Sequence, residues 1–188
     1  MAVRPIRITG DPALHEPAAD VTVFDEELRL LVGDMFETMD AAPGVGLAGP
    51  QVGVALRIFV YSYVDDDGTP WRGEAINPQL WQSPLTIDPL DEDEESEGCL
   101  SIPGERFPLR RAEGAILRAV DINNEPFEIE AHGWLARIFQ HEYDHLDGIL
   151  YADRLEHPHS KAVAKVIRKK SWGVPGKQWT PGLEHPEG

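Results

Sequence analysis

Two histidines one helical turn apart, with a glutamate beside the first, are the most chemically loaded stretch of the chain: His141-Glu142-Tyr143-Asp144-His145. At i and i+4 both imidazoles leave the same helical face and can share one metal ion, while Glu142 projects beside them. A carboxylate so placed reaches a water next to the ion without being a ligand, which suits a general base. Two histidines packed at a helix–sheet contact are the plainer alternative, and the intervening glutamate counts against it. A catalytic site of this kind needs a third protein ligand. The extended peptidase pattern would put a histidine six residues after His145, where this chain has Tyr151. Asp and Glu are absent from His157 through Leu183, which leaves Glu156 as a poor candidate. Cys99, the only cysteine, is more attractive because a thiolate bonds such ions well, although a lone cysteine otherwise reads as a small buried hydrophobe. Two neutral imidazoles and one thiolate would leave a divalent ion with a net charge of about +1, enough to bring the pKa of water toward ~7. Glu142 could accept that water's proton and pass it to a departing nitrogen. The chemistry implied is hydrolysis of an amide-like carbonyl.

Several elements must position these groups. Leu28, Leu31, Val32, Met35 and Met39 recur at three- and four-residue spacing and predict a helix from about Asp25 to Met39. A glycine-dense loop, Gly44 to Gly53, follows it. Leu56 to Val64 reads as a strand, turning through Asp65-Asp66-Asp67-Gly68 into a second strand around Arg72 to Ile76. Ala115 to Asp121 and Pro126 to Ala131 repeat the pattern about Asn123-Asn124, so the centre of the chain is mostly antiparallel strand. Between these hairpins Asp91, Glu92, Asp93, Glu94, Glu95 and Glu97, interrupted only by Ser96, read as a solvated loop. Trp134 to about Leu150 is a second helix, with Trp134, Ile138, His141 and His145 on one stripe. A third, Ser160 to Trp172, has Ser160 as its expected N-cap and an apolar face of Ala162, Val163, Val166 and Ile167. Opposite that face runs a basic stripe of Lys161, Lys165, Arg168 and Lys169.

At 188 residues and 20.9 kDa the chain fits a single catalytic domain over 1–172, with 173–188 as an irregular Gly/Pro-rich tail. Seventeen Lys+Arg against 33 Asp+Glu give a net charge of −16, a field that repels phosphate backbones and anionic lipid. No DNA and no membrane partner are expected. One cysteine cannot form an intrachain disulfide, and no apolar run approaches the roughly 18 residues of a membrane span. The expectation is a soluble, untargeted protein of a reducing cytoplasm.

Three segments, Gly44-Val45-Gly46-Leu47-Ala48-Gly49-Pro50-Gln51, Glu97-Gly98-Cys99-Leu100-Ser101 and Gln140-His141-Glu142-Tyr143-Asp144-His145, resemble in order and separation those of the peptide deformylase family. The similarity runs from the first helix to about Leu155 and leaves the last part of the chain uncovered. With the elements above, the expected fold is α+β: antiparallel sheets packed around a central metal-binding helix, with an N-terminal and a C-terminal helix. The resemblance implies that Cys99, His141 and His145 bind one divalent metal ion, ferrous iron first, with zinc, nickel or cobalt also compatible with the ligands. It implies that Glu142 handles protons and that the substrate is formylmethionine at the start of a nascent polypeptide, releasing formate in N-terminal processing during protein biosynthesis. It assigns Gln51 and the backbone N–H of Leu100 to the carbonyl oxygen, where fixed donors stabilise a developing oxyanion. It places Val45, Trp134 and Ile138 near the methionine side chain and Arg106 near the substrate backbone.

One departure stands out: Gly49, followed by Pro50, occupies a place where the family usually has a second alanine, so the loop backbone is expected to differ locally while still presenting Gln51. Gly46 and Gly98 could let an extended peptide pair with the enzyme as an added strand. The basic stripe of the last helix could dock weakly on ribosomal RNA, although a solvated helix face is the plainer reading. From the residues alone, a metal-dependent endopeptidase and a non-catalytic metal- or ribosome-binding protein stay open as other functions.

Overall fold

The computed structural model describes residues 2–184. A short strand, β1 (Ile6–Arg7), opens the chain, and Asp25 then starts helix α1 (Glu26–Ala41). The Asp25 carboxylate accepts from the Leu28 N–H at 3.0 Å, and Glu26 and Glu27 sit in the first turn, where the helix dipole favours negative charge. The helix buries the expected stripe of Leu28, Leu31, Val32, Met35 and Met39, and runs on to Ala41.

Part of the glycine-dense loop is regular. Gly46–Ala48 form strand β2, which pairs antiparallel with β3 (Ile58–Val64). Strand β4 (Pro70–Gln82) is longer than its sequence signal because it continues through an irregularity between Ile76 and Gln79. After β5 (Ser96–Cys99) and β6 (Ile102–Pro108), which make a separate hairpin, β7 (Gly114–Val120) and β8 (Pro126–His132) complete the main sheet. Its order is β2-β3-β4-β7-β8, all antiparallel, so β2 lies at an edge.

Alternation along the strands gives the main sheet two covered faces. Ile58, Val60 and Ile76 pack with the α1 stripe, whereas Phe59, Tyr61, Ala75 and Leu117 meet Leu135, Ile138, Phe139 and Leu146 of helix α2 (Gly133–Leu146). The segment His141–His145 therefore rides on a helix anchored across the sheet. That helix ends at Leu146, earlier than expected, because Gly148 adopts φ 73° and turns the chain out of the helix. A single turn, α3 (Tyr151–Arg154), comes next.

Other expectations need correction. Helix α4 (His159–Lys169) begins before Ser160, so Ser160 is not its cap, and Ala162 is exposed, leaving Val163 with half-buried Val166 and Ile167 as the inward face. The acidic run is split: Asp91 to Glu94 are exposed, but Glu97 is 3% exposed within β5, where buried cations neutralise it. In the C-terminal segment, Gln178–Trp179 form strand β9, paired antiparallel with β1.

Candidate metal centre

Helix α2 carries His141 and His145 on successive turns, and β5 brings Cys99 against them as its last residue. Cys99 Sγ lies 3.3 Å from His145 Nε2, the two histidine Nε2 atoms are 3.2 Å apart, and the three ligand atoms all fall within 4.8 Å of one another. A tetrahedral ion with ordinary bond lengths would set its N–N and S–N edges at about 3.3 and 3.6 Å. Two soft-to-borderline nitrogens and a sulfur facing one another at these separations fit a divalent transition metal. Cys99 and His145 are buried, while the His141 side chain keeps 11% of its surface exposed.

Glu142 is buried next to them, and its Oε2 has no hydrogen-bond partner among the described residues. Burial pushes its pKa up to about 7. Its place depends on Gly46 of β2: a Cβ at that position would sit 2.2 Å from Glu142 Oε1.

Beneath these three side chains lies an ionic network that spacing and motif did not reveal. His141 Nδ1 is 3.0 Å from Glu97 Oε1, so an Nδ1–H donated there leaves Nε2 free to face the ion. Arg111 donates to Glu97 at 2.7 and 3.1 Å and to Asp144 at 2.6 Å. Arg137 donates to Glu97 at 3.0 Å, and Arg154 holds Asp144 through two contacts of 2.6 Å. Burial works to raise the Glu97 pKa, but the His141 hydrogen bond and the Arg111 guanidinium outweigh it and hold the carboxyl well below the usual range. Glu97 and Asp144 both sit inside the quoted motifs, which was the available signal; nothing local marks Arg111, Arg137 or Arg154 as their partners.

Gln51 follows Pro50 in a single 3-10 turn, Gly49–Val52, so the Gly-Pro departure does present it to the site. Its Oε1 accepts from the Ala48 N–H at 2.9 Å, which turns Nε2 toward Ser101 Oγ at 3.3 Å and Cys99 Sγ at 3.7 Å. A cleft of about 450 Å³ opens over this centre. Val45, Gly46, Gln51, Gly98, Cys99, Leu100, Arg106, Trp134, Ile138, His141 and Glu142 all line it, and His145 sits below, 1% exposed. Within the lining, Val45 is 45% exposed, Ile138 is nearly covered, and exposed Arg106 donates to the Ser96 carbonyl at 2.6 Å. Trp179, which no motif singled out, lines the same cleft.

The polypeptide deformylase family model matches residues 3–161. A peptide deformylase of Rhodococcus opacus is 49% identical over 193 residues, covering 100% of this chain and 98% of the relative, so the likeness extends past Leu155 to the end. One from Tropheryma whipplei is 50% identical over 191 residues, covering 95% of this chain and 94% of that one. The crystal structure of a peptide deformylase from Legionella pneumophila superposes with a TM-score of 0.76 at 38% identity, covering 90% of this chain and 96% of that one. The α+β architecture, the Cys-His-His convergence and these likenesses agree: the chain belongs to the peptide deformylase family, metal-dependent hydrolases that remove the N-formyl group from formylmethionine.

Proposed function

We propose that Cys99, His141 and His145 hold one ferrous ion, and that Glu142, Gln51 and Leu100 carry out deformylation of nascent polypeptides around it. The observation that supports this most directly is the convergence of one sulfur and two nitrogens within 4.8 Å, beside a buried carboxylate, at the floor of a cleft. Zinc, nickel or cobalt would also satisfy this donor set. When bound, a divalent ion of this kind supplies Lewis acidity that makes water nucleophilic near neutral pH.

The protein's own groups account for the remaining steps. Glu142, with a pKa raised toward neutrality by burial, takes a proton from the attacking water and delivers it to the methionine nitrogen as the C–N bond breaks. Water and the formamide thus become formate and a free amine. Gln51 Nε2 and the Leu100 N–H donate to the formyl oxygen as negative charge gathers on it. Trp134, Ile138 and Val45 form the surroundings of the methionine side chain, and Arg106 approaches the substrate backbone. Because β2 is an edge strand, its outer side offers N–H and C=O groups to an extended peptide, with Gly46 and Gly98 permitting close approach. Main-chain pairing binds with little side-chain preference, as an enzyme acting on many nascent chains requires.

In this proposal residues 1–172 are the catalytic domain, against which Trp179 of the 173–188 segment is packed. The place of action is the cytoplasm, where a thiolate ligand stays reduced. Among the described residues no helix is long and apolar enough to cross a membrane. The exposed Lys161, Lys165, Arg168 and Lys169 of α4 make a weak contact with ribosomal RNA near the emerging chain. The deciding experiment is anaerobic purification with metal analysis and a formate-release assay on formyl-methionyl and unformylated peptides. Iron-loaded protein that releases formate only from the former supports the proposal; cleavage of unformylated peptides, or a loaded protein without formate release, refutes it.

A further inference from the structure

We infer that Trp179, beyond the segment matched by the family model, is a positioning residue for deformylation: its indole N–H clamps the Leu100 turn and its ring walls the cleft. The inference rests on the reading of Leu100 as a donor to the formyl oxygen.

The turn Leu100-Ser101 joins β5 to β6 where Cys99 pairs with Ile102, so the carbonyls of Leu100 and Ser101 lie outside the strand ladder. Such groups, half-buried or buried, need donors from elsewhere. Both donors come from the ends of the chain. Trp179 Nε1 donates to the Leu100 carbonyl at 2.9 Å, and the Thr9 N–H donates to the Ser101 carbonyl at 2.9 Å. These ends are themselves tied together, through Ile6 paired with Trp179, the Ile8 N–H on the Lys177 carbonyl at 2.9 Å, and the Gly173 N–H on the Thr9 carbonyl at 2.9 Å.

The peptide group that carries the Leu100 carbonyl is also gripped through its nitrogen, since Cys99 Sγ accepts from the Ser101 N–H at 3.4 Å. The Leu100 N–H, one peptide group upstream, thus lies between the candidate ligand residue Cys99 and a peptide group fixed at both its oxygen and its nitrogen. Trp179 is 8% exposed and belongs to the apolar cluster of Met35 and Met39, against which Leu100 also packs, so the clamp is anchored in the core. Freeing the Leu100 carbonyl would loosen the aim of its N–H. That donor counts most when the oxygen carries its developing charge, so the loss falls on kcat. Removing the ring as well opens the wall of the cleft, and KM rises.

The test is steady-state formate release from a formyl-Met-Ala peptide by the full-length, metal-loaded protein. Trp179→Phe, which keeps a ring and loses the donor, is expected to lower kcat about fivefold with KM within about twofold. Trp179→Ala is expected to lower kcat similarly and raise KM about tenfold. An unchanged kcat in Trp179→Phe overturns the clamp, as does a loss that is accounted for by reduced metal content, which marks a merely structural role. Gln51→Ala distinguishes failure of the underlying reading: full kcat there removes the oxyanion assignment itself, whereas a loss there beside an unchanged Trp179→Phe overturns the clamp alone.

Discussion

Glu142 keeps its position because Gly46 carries a hydrogen where any other residue would carry carbon. With 2.2 Å between a built Cβ and Glu142 Oε1, Gly46→Ala must displace the carboxylate or part β2 from α2. We expect this substitution to lower kcat by about 100-fold or more while the metal is retained, as read by formate release beside metal analysis. Glu142→Ala is expected to lose about 10²- to 10⁴-fold in turnover, again with metal retained. Loss of the ion from Glu142→Ala would show that the carboxylate helps to hold it. Both residues were visible in sequence as members of motifs. Their contact was not, since β2 and α2 are far apart in sequence and meet only where the helix packs against the folded sheet.

At the scale of elements, α2 does more than space two histidines. Its Asp144 and the Glu97 of β5 are both held by Arg111, whose side chain is 5% exposed, so α2, β5 and the connection between β6 and β7 share one buried set of charges. Arg111→Ala would leave two carboxylates buried beside each other with less positive charge to offset them. The expected cost is about 3–5 kcal/mol of stability, measured by urea unfolding of the metal-loaded protein. Because Glu97 also orients His141, metal affinity should fall about 10- to 100-fold, measured by competition with a chelator. An Arg111→Ala protein of full stability would mean that the network is not needed to hold the fold. The helical period of α2 was readable from apolar spacing, yet the charge state of its underside was not. An acidic run looks the same in sequence whether it meets water or arginine, and Glu97 meets arginine.

Over the whole molecule, the metal would tie the β5–β6 hairpin to a helix anchored on the main sheet. An ion that binds only the folded form stabilises it by about 2.7 kcal/mol at a free concentration of 100 times its dissociation constant. For a chain of this length that is a rise in Tm of roughly 5–10 °C, to be lost on chelation and restored by adding nickel or zinc. A Tm indifferent to chelation would argue that Cys99, His141 and His145 do not share an ion. Against a net charge of −16, any contact of α4 with RNA must be local and strongly screened. Cosedimentation with ribosomes should therefore fall as salt rises, and charge reversal at Lys165 and Arg168 should abolish it; binding indifferent to that reversal would exclude the helix.

What the amino-acid sequence determined by itself was local or motif-borne: the two imidazoles one turn apart, the apolar stripes of α1 and α2, the antiparallel centre and the family of the chain. Periodicity and short spacings act within a few residues, so they can be read along the chain. Tertiary structure alone decided the meeting of Cys99 with His145 across 46 residues, the neutralisation of Glu97 by Arg111 and Arg137, and the grip of Trp179 on Leu100 across 79 residues. Those contacts are the means by which buried polar groups, cut off from water, find partners, and the chain must fold before it is settled which partners are within reach.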